Sequence, residues 1–301
     1  MSRFLVWYRM QPPALRALLT INAGFYLLWV VALMHIDVVR RFVWMHLALN
    51  PDWPAILTHP WQLVTYNFLH LQPGFWGLIH ILFNMLWLVW IGREYEELHG
   101  SHRLLALYVI AGVGGGLLTV VLHMLFPGVG AFGGLVHGAS ASVLGVLMAV
   151  AILYPFKSVA LFLLGPIRLL YLVLIFLALD VLFMAGGGTA VGAHLGGALF
   201  GLLYAKAEQR GIELAGWARV FFQRRRARRR QPVAAETGWS LRRVGAWMEQ
   251  RRGSAAESRG SAARERSLEE EVDRILDKIS AHGYDSLTEE EKRILYEASR
   301  R

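Results

Sequence analysis

Six apolar runs separated by short polar segments fill the first two-thirds of the chain, at about residues 14–36, 78–91, 104–126, 136–154, 161–184 and 189–206. Helices of about 20 apolar residues cross a hydrocarbon layer of about 30 Å. The pattern therefore predicts an all-α, polytopic membrane protein with six spanning helices over residues 14–206, preceded by a short terminus at 1–13. Residues 37–77 interrupt it with Arg40, Arg41, Pro51, Pro54 and Pro60, and with Trp44, Trp53 and Trp61. Such a segment is too polar to span and too aromatic for a free linker, so a structured loop lying partly in the interface is expected.

Loop charge sets the orientation. Arg3, Arg9 and Arg16 precede or open the first run, Arg93 and Arg103 flank the second-to-third connection, and Lys157 and Arg168 mark the fourth-to-fifth. Lys206 and Arg210 begin the tail, whereas residues 127–135 and 185–188 carry no charge. Only Arg40 and Arg41 oppose the bias, so both termini are expected on the cytoplasmic side.

Composition sharpens this picture. Of 301 residues 55% are hydrophobic, which sets the chain apart from ordinary soluble domains, and 11 tryptophans and 10 tyrosines suit helix ends among lipid headgroups. There is no cysteine, which removes disulfides, thiolate catalysis and cysteine-bound metals from consideration. No cleavable signal peptide is expected from the first residues. With the basic tail, this points to the inner membrane of a bacterium. After Lys206 the composition turns polar. An arginine-dense run at 219–230 and a Gly/Ser/Ala/Arg-rich stretch predict a disordered linker over 207–266, with the basic run resting on anionic lipid and no nucleic acid as partner. Two capping boxes, Ser267 with Glu270 and Thr288 with Glu291, predict a small helical hairpin over 267–301, its first helix ended by Gly283.

Candidate chemistry comes from the few polar residues inside the apolar runs. With the first residue inside, the second, fourth and sixth runs all start at the outer face. His80 and Asn84, Ser140 and His194 then fall in the first turns of those three helices, within about 5–10 Å of their outer ends at ~1.5 Å per residue. Ser140 lies in Val136-His137-Gly138-Ala139-Ser140-Ala141-Ser142-Val143-Leu144-Gly145, a small-residue stretch that would by itself be read as a packing face. His194, a histidine in a spanning helix, is a functional candidate. Around it Gly192, Ala193, Gly196, Gly197 and Gly201 would let the sixth helix press on the Gly138/Ala141/Gly145 side of the fourth. A nucleophilic serine with a histidine base is the reading this supports. His80 and Asn84, four apart on one face, could donate hydrogen bonds to an oxyanion, helped by the Ser140 N–H, or could instead bond helix to helix.

At these residues the chain resembles the rhomboid intramembrane serine proteases, over roughly residues 61–205. The motif Gly138-Ala139-Ser140, the His80-Ile81-Leu82-Phe83-Asn84 pattern and Ala193-His194-Leu195-Gly196-Gly197 carry the likeness. The resemblance implies Ser140 as nucleophile, His194 as general base and His80 with Asn84 as oxyanion donors. It also implies transmembrane proteins as substrates, cut near their outer ends, and no cofactor or metal. The chain departs from the family at Ala141, usually glycine; at Leu144, often a bulkier residue backing the histidine; and at Gln62, where a Trp-Arg pair reads Trp61-Gln62. Glu96 resembles a structural carboxylate tying helix ends. Asp180 could orient His194, but in a family that works as a dyad a structural role is expected. His99 and His102 are read as solvated loop histidines. The absence of His-Glu-x-x-His and Gly-x-Gly-Asp argues against zinc and aspartyl membrane proteases. The rival class is a catalytically silent binder or chaperone of transmembrane helices, which has no need of Ser140 or His194.

Overall fold

The computed structural model describes residues 2–161, 165–184 and 190–222, with residues 274, 275, 277, 278, 287, 288, 290 and 291 beyond them. The chain divides into two compact units, Met1–Arg230 and Gln231–Arg301.

The first unit is mostly helical. A short α1 (Arg3–Met10) leads to α2 (Pro13–Val31), where proline at the first position supplies a helical φ and no orphaned donor. The next two N–H groups, of Ala14 and Leu15, are each taken by a carboxylate oxygen of buried Glu96 at 2.7 Å. The expected loop at 37–77 folds into α3 (Asp37–His46), α4 (Trp53–Thr58) and α5 (Gln62–Thr65). Val38, Phe42, Met45, Trp53 and Leu57 are exposed on these helices. Then come α6 (Gly74–Trp87), a wide turn at Leu88–Gly92 and α7 (Arg93–His99), and α8 (Ser101–Leu125). A short α9 (Gly130–Gly133) precedes α10 (Ser140–Leu153), a two-stranded antiparallel ribbon β1 (Ser158–Leu161) and β2 (Gly165–Arg168), α11 (Leu169–Leu182) and α12 (Val191–Gln209).

Among the described residues, three helical segments are long and apolar enough to cross a membrane: Pro13–His35, Gly74–His99 and Ser101–Leu125. Helices α10 and α11 are apolar but only 14 residues each. Both fall short of their expected lengths. Residues 136–139 are extended or turned rather than helical, and residues 158–161 and 165–168 build the ribbon, so the fold is not purely α. A further difference lies after Lys206: α12 runs on to Gln209, and Gly216–Arg219 forms a 3-10 turn with Ala215 and Ala218 buried in the core. The ordered chain thus reaches at least Phe222, past the expected start of the linker. The remainder of that linker, the loop at 185–188, the Ser267 capping box and Gly283 lie outside the described residues.

The core is built on α8, α10 and α12. α10 is buried on every side from Ala141 to Ala151, and α8 and α12 meet it through glycines. A Cβ added to Gly197 would lie 2.1 Å from the Ala141 carbonyl oxygen, and one on Gly201 2.1 Å from that of Gly145. Two backbones can approach so closely only where a side chain is missing. At the opposite end, Glu208 of α12 gathers Tyr95, His99 and Arg103, at 2.9, 2.9 and 2.6 Å. His99, also 2.7 Å from the Tyr154 hydroxyl, is a bonded tie between helices and not the solvated loop residue expected.

In the second unit Thr288 and Glu291 form the expected reciprocal box: the Glu291 carboxylate accepts from the Thr288 N–H at 2.7 Å, and the Thr288 hydroxyl accepts from the Glu291 N–H at 3.3 Å. Lys278 bonds both oxygens of the same carboxylate, and holds it, with the capping bonds, near a pKa of about 2.

Candidate active site

Ser140 opens α10, so its N–H belongs to the set of donors that a helix start leaves without intrahelical acceptors. The approach to it is irregular. Val136 and Leu49 exchange backbone hydrogen bonds at 2.9 Å in an isolated antiparallel bridge, and the Gly138 N–H donates to the Tyr66 carbonyl. Gly138 has φ +126°, and a Cβ there would lie 2.8 Å from Cε1 of His80. Glycine is demanded twice, by backbone conformation and by the imidazole against it.

His194 is the fourth residue of α12. The glycine faces described above bring its Nε2 to 2.7 Å from the Ser140 hydroxyl oxygen. Its other ring nitrogen, Nδ1, lies 2.6 Å from Oδ2 of Asp180 on α11, a carboxylate that is mostly covered. The contact expected to be structural is therefore made to the candidate base itself. Leu144 sits beside this pair in the wall of a groove, and Ala141 packs under it against Gly115 and Gly197.

His80 and Asn84 share that neighbourhood. α6 begins four residues before the expected start, so they lie about 9 and 15 Å along it at ~1.5 Å per residue, deeper than read from sequence. Because α10 also begins late, they still meet the level of Ser140. The Asn84 amide donates to the His80 carbonyl at 2.9 Å, and its approach to Nε2 of His70 is long, at 3.5 Å.

Sequence reasoning missed the two histidines that frame this corner. His70 is buried with Nε2 facing the Ala139 N–H, and Nδ1 of His137 accepts from the Leu71 N–H at 3.4 Å. His70, in the loop before α6, is held below the ordinary imidazole range, chiefly by burial, with repulsion from His80 and then His137 adding to it. A neutral ring is what an accepting nitrogen requires. Asn67 is a third omission: its backbone carbonyl accepts from Tyr108 and its side chain takes the hydroxyl of fully buried Ser142, two residues past Ser140. Gln62 also has a role that its departure from the family pattern hid. It is buried, accepting from the Asn50 N–H at 3.0 Å and donating to the Met45 carbonyl at 2.9 Å, so a neutral amide fastens the loop between α3 and α5.

Two cavities meet at Ser140, His80 and His194. One, of about 380 Å³, is lined further by Gln72, His137 and Leu135; the other, of about 350 Å³, runs between α6 and α11 past Phe83, Trp87 and Phe176. A polar chamber and an apolar groove thus converge on one hydroxyl. Among the described residues no group of three or more His, Asp or Glu is placed to hold a metal ion.

Comparison with known proteins gives the chain's family. The rhomboid domain family matches residues 57–210, and a family of unknown function, DUF6576, matches residues 262–301. RHOMBOID-like protein 1 of Arabidopsis thaliana is 32% identical over 151 residues, 50% of this chain and 36% of its own length. RHOMBOID-like protein 6, mitochondrial, of the same plant is 27% identical over 192 residues, 58% of this chain and 59% of its own. The rhomboid protease GlpG of Yersinia pestis is 30% identical over 145 residues, 48% and 47% of the two chains. The chain thus spans between about a third and three-fifths of the length of these relatives.

Proposed function

The chain belongs to the rhomboid family of membrane proteins, and from that premise we propose that it is an intramembrane serine endopeptidase. Its substrates are transmembrane proteins, cut near the outer membrane face by a Ser140–His194 dyad. The observation that carries the proposal is the 2.7 Å contact between the Ser140 hydroxyl and His194 Nε2 at the junction of two cavities.

The chemistry follows from these positions. The Ser140 oxygen attacks the scissile carbonyl as His194 Nε2 takes its proton; the imidazolium then returns that proton to the leaving amine, and water repeats the sequence on the acyl-enzyme. Charge developing on the carbonyl oxygen is met by the Ser140 N–H at the start of α10, by His80 and by Asn84. One amide hydrogen of Asn84 is committed to the His80 carbonyl; the other, facing only a long contact to His70, is the one free to turn to an oxyanion.

Topology fits this use. We take α2, α6 with α7, α8, α10, α11 and α12 as six spans with both termini inside, in a bacterial inner membrane. At 14 residues α10 is about 21 Å long, short of a hydrocarbon layer of about 30 Å. Its outer end is thus sunk below the surface, and the irregular backbone at 134–139 occupies the remaining depth. Non-helical backbone is tolerated there because it lines a cavity that water can fill.

The test is cleavage in proteoliposomes of a single-span substrate whose outer juxtamembrane segment contains helix-weakening residues. Wild type is expected to release a fragment cut within a few residues of the outer membrane boundary, and Ser140→Ala none. Fragment release by Ser140→Ala at the wild-type rate would refute the nucleophile assignment.

A further inference from the structure

Asp180 is the one charged residue in α11, and it sits two positions before the last residue of that helix. Both facts work against it. An ionised carboxylate in an apolar spanning helix is costly, and the negative end of the helix dipole adds to the cost. Something must compensate, and the partner found is Nδ1 of His194 at 2.6 Å, with each side chain only 16% exposed.

Which nitrogen is bound matters more than that a bond exists. A purely structural tie could be made to any donor on α12. This one is made to the ring nitrogen that faces away from Ser140, so the carboxylate holds the proton on Nδ1 and leaves the Nε2 lone pair aimed at the hydroxyl. We infer that Asp180 is a positioning residue for the base, turning the Ser140–His194 dyad into a three-member relay; the inference rests on the dyad reading above. During attack the serine proton passes to Nε2, the Nδ1 proton stays where it is, and the Asp180 carboxylate stays ionised and offsets the charge of the imidazolium.

The location of the carboxylate adds a consequence. The buried residues of α11 are Leu169, Leu172 and Val173, all in its first turns. Its outer half borders the open groove, and the Trp87–Phe176 ring contact, with centroids 5.8 Å apart, and the Asp180–His194 bond hold it to the bundle. A shift of that half of α11 away from α12 withdraws the carboxylate from the base. Reactivity of Ser140 is thereby tied to the seating of α11.

The experiment uses the full chain in proteoliposomes, comparing wild type, Asp180→Asn, Asp180→Glu and Ser140→Ala for substrate cleavage and thermal melting. Asp180→Asn is expected to lower kcat by about 10²-fold or more, since an amide can support the wrong tautomer, with KM within about two-fold. Asp180→Glu is expected to restore most of the lost kcat, and both variants to melt with wild type. Wild-type kcat in Asp180→Asn, or losses in Asn and Glu variants that simply follow a lowered melting temperature, would overturn the inference while leaving the dyad intact. Cleavage by Ser140→Ala would instead remove the dyad beneath it. A readout on the unmutated protein is the ¹⁵N shift pattern of the His194 ring. Protonated Nδ1 with bare Nε2 is expected, and the opposite tautomer would contradict the assignment even if the variants do not fold.

Discussion

Single residues near the candidate site divide by what they bond. His80 and Asn84 both line the groove beside Ser140, and on the proposed mechanism truncating either removes a donor needed only when the carbonyl oxygen carries charge. His80→Ala and Asn84→Ala are each expected to lower kcat by about 10–10³-fold with little change in KM, measured as steady-state cleavage in detergent. His70 and His137 act differently, as neutral acceptors. Protonation of His70 is disfavoured in the folded protein relative to an unfolded value of 6.5, so as pH drops below that value the unfolded chain binds protons first. Stability is therefore full above about pH 7 and declines from there toward pH 2. The melting temperature should fall across that window, and that of His70→Asn, which cannot titrate, should fall less steeply. The candidates Ser140, His194, His80 and Asn84 stood out in the sequence because polar residues are rare in apolar runs. His70 and Asn67 did not, because they lie in a mixed loop where polar side chains are ordinary. Asp180 was visible, but which nitrogen it would meet depended on how α11 leans on α12, which no spacing along the chain encodes.

Elements were read best where periodicity and length agreed. The helical segments Pro13–His35, Gly74–His99 and Ser101–Leu125 match their apolar runs to within a few residues, except that the second starts four positions early and runs eight further. The ribbon strands at 158–161 and 165–168 were hidden because Val159, Ala160, Leu161 and Ile167 continue the apolar run of the helix that follows, and a short apolar run does not distinguish strand from helix. The glycine faces of α10 and α12 were anticipated, and the geometry shows what they hold together. Gly197→Ala and Gly201→Ala would each drive a methyl group against a backbone oxygen that cannot move without its helix. Each is expected to destabilise the unit by about 1–3 kcal/mol, as overpacking does, and to reduce activity more than stability by parting Ser140 from His194. Thermal melting alongside cleavage rates checks both. Gly128, near which an added Cβ meets nothing within 4 Å, is the control expected to accept alanine.

At the scale of the whole chain, polar ties stand where apolar packing cannot fix register. Glu96 fastens the start of α2 to α7, Trp29 donates to the Leu71 carbonyl at 2.9 Å, and Tyr66 reaches the Gly112 carbonyl at 2.7 Å. Removing the carboxylate leaves two N–H groups without acceptors, and Glu96→Ala is expected to cost about 2–4 kcal/mol by denaturation in mixed micelles, with the active-site geometry otherwise retained. These ties frame the central claim that one serine, at the sunken outer end of α10, is activated by the imidazole of α12. The most direct measurement is peptide mapping by mass spectrometry after exposure of the full chain to a fluorophosphonate. The account predicts a single adduct on Ser140, lost in His194→Ala, with Ser142, buried and bonded to Asn67, left unmodified. An adduct on another serine, or equal labelling of Ser140 when His194 is absent, would contradict it.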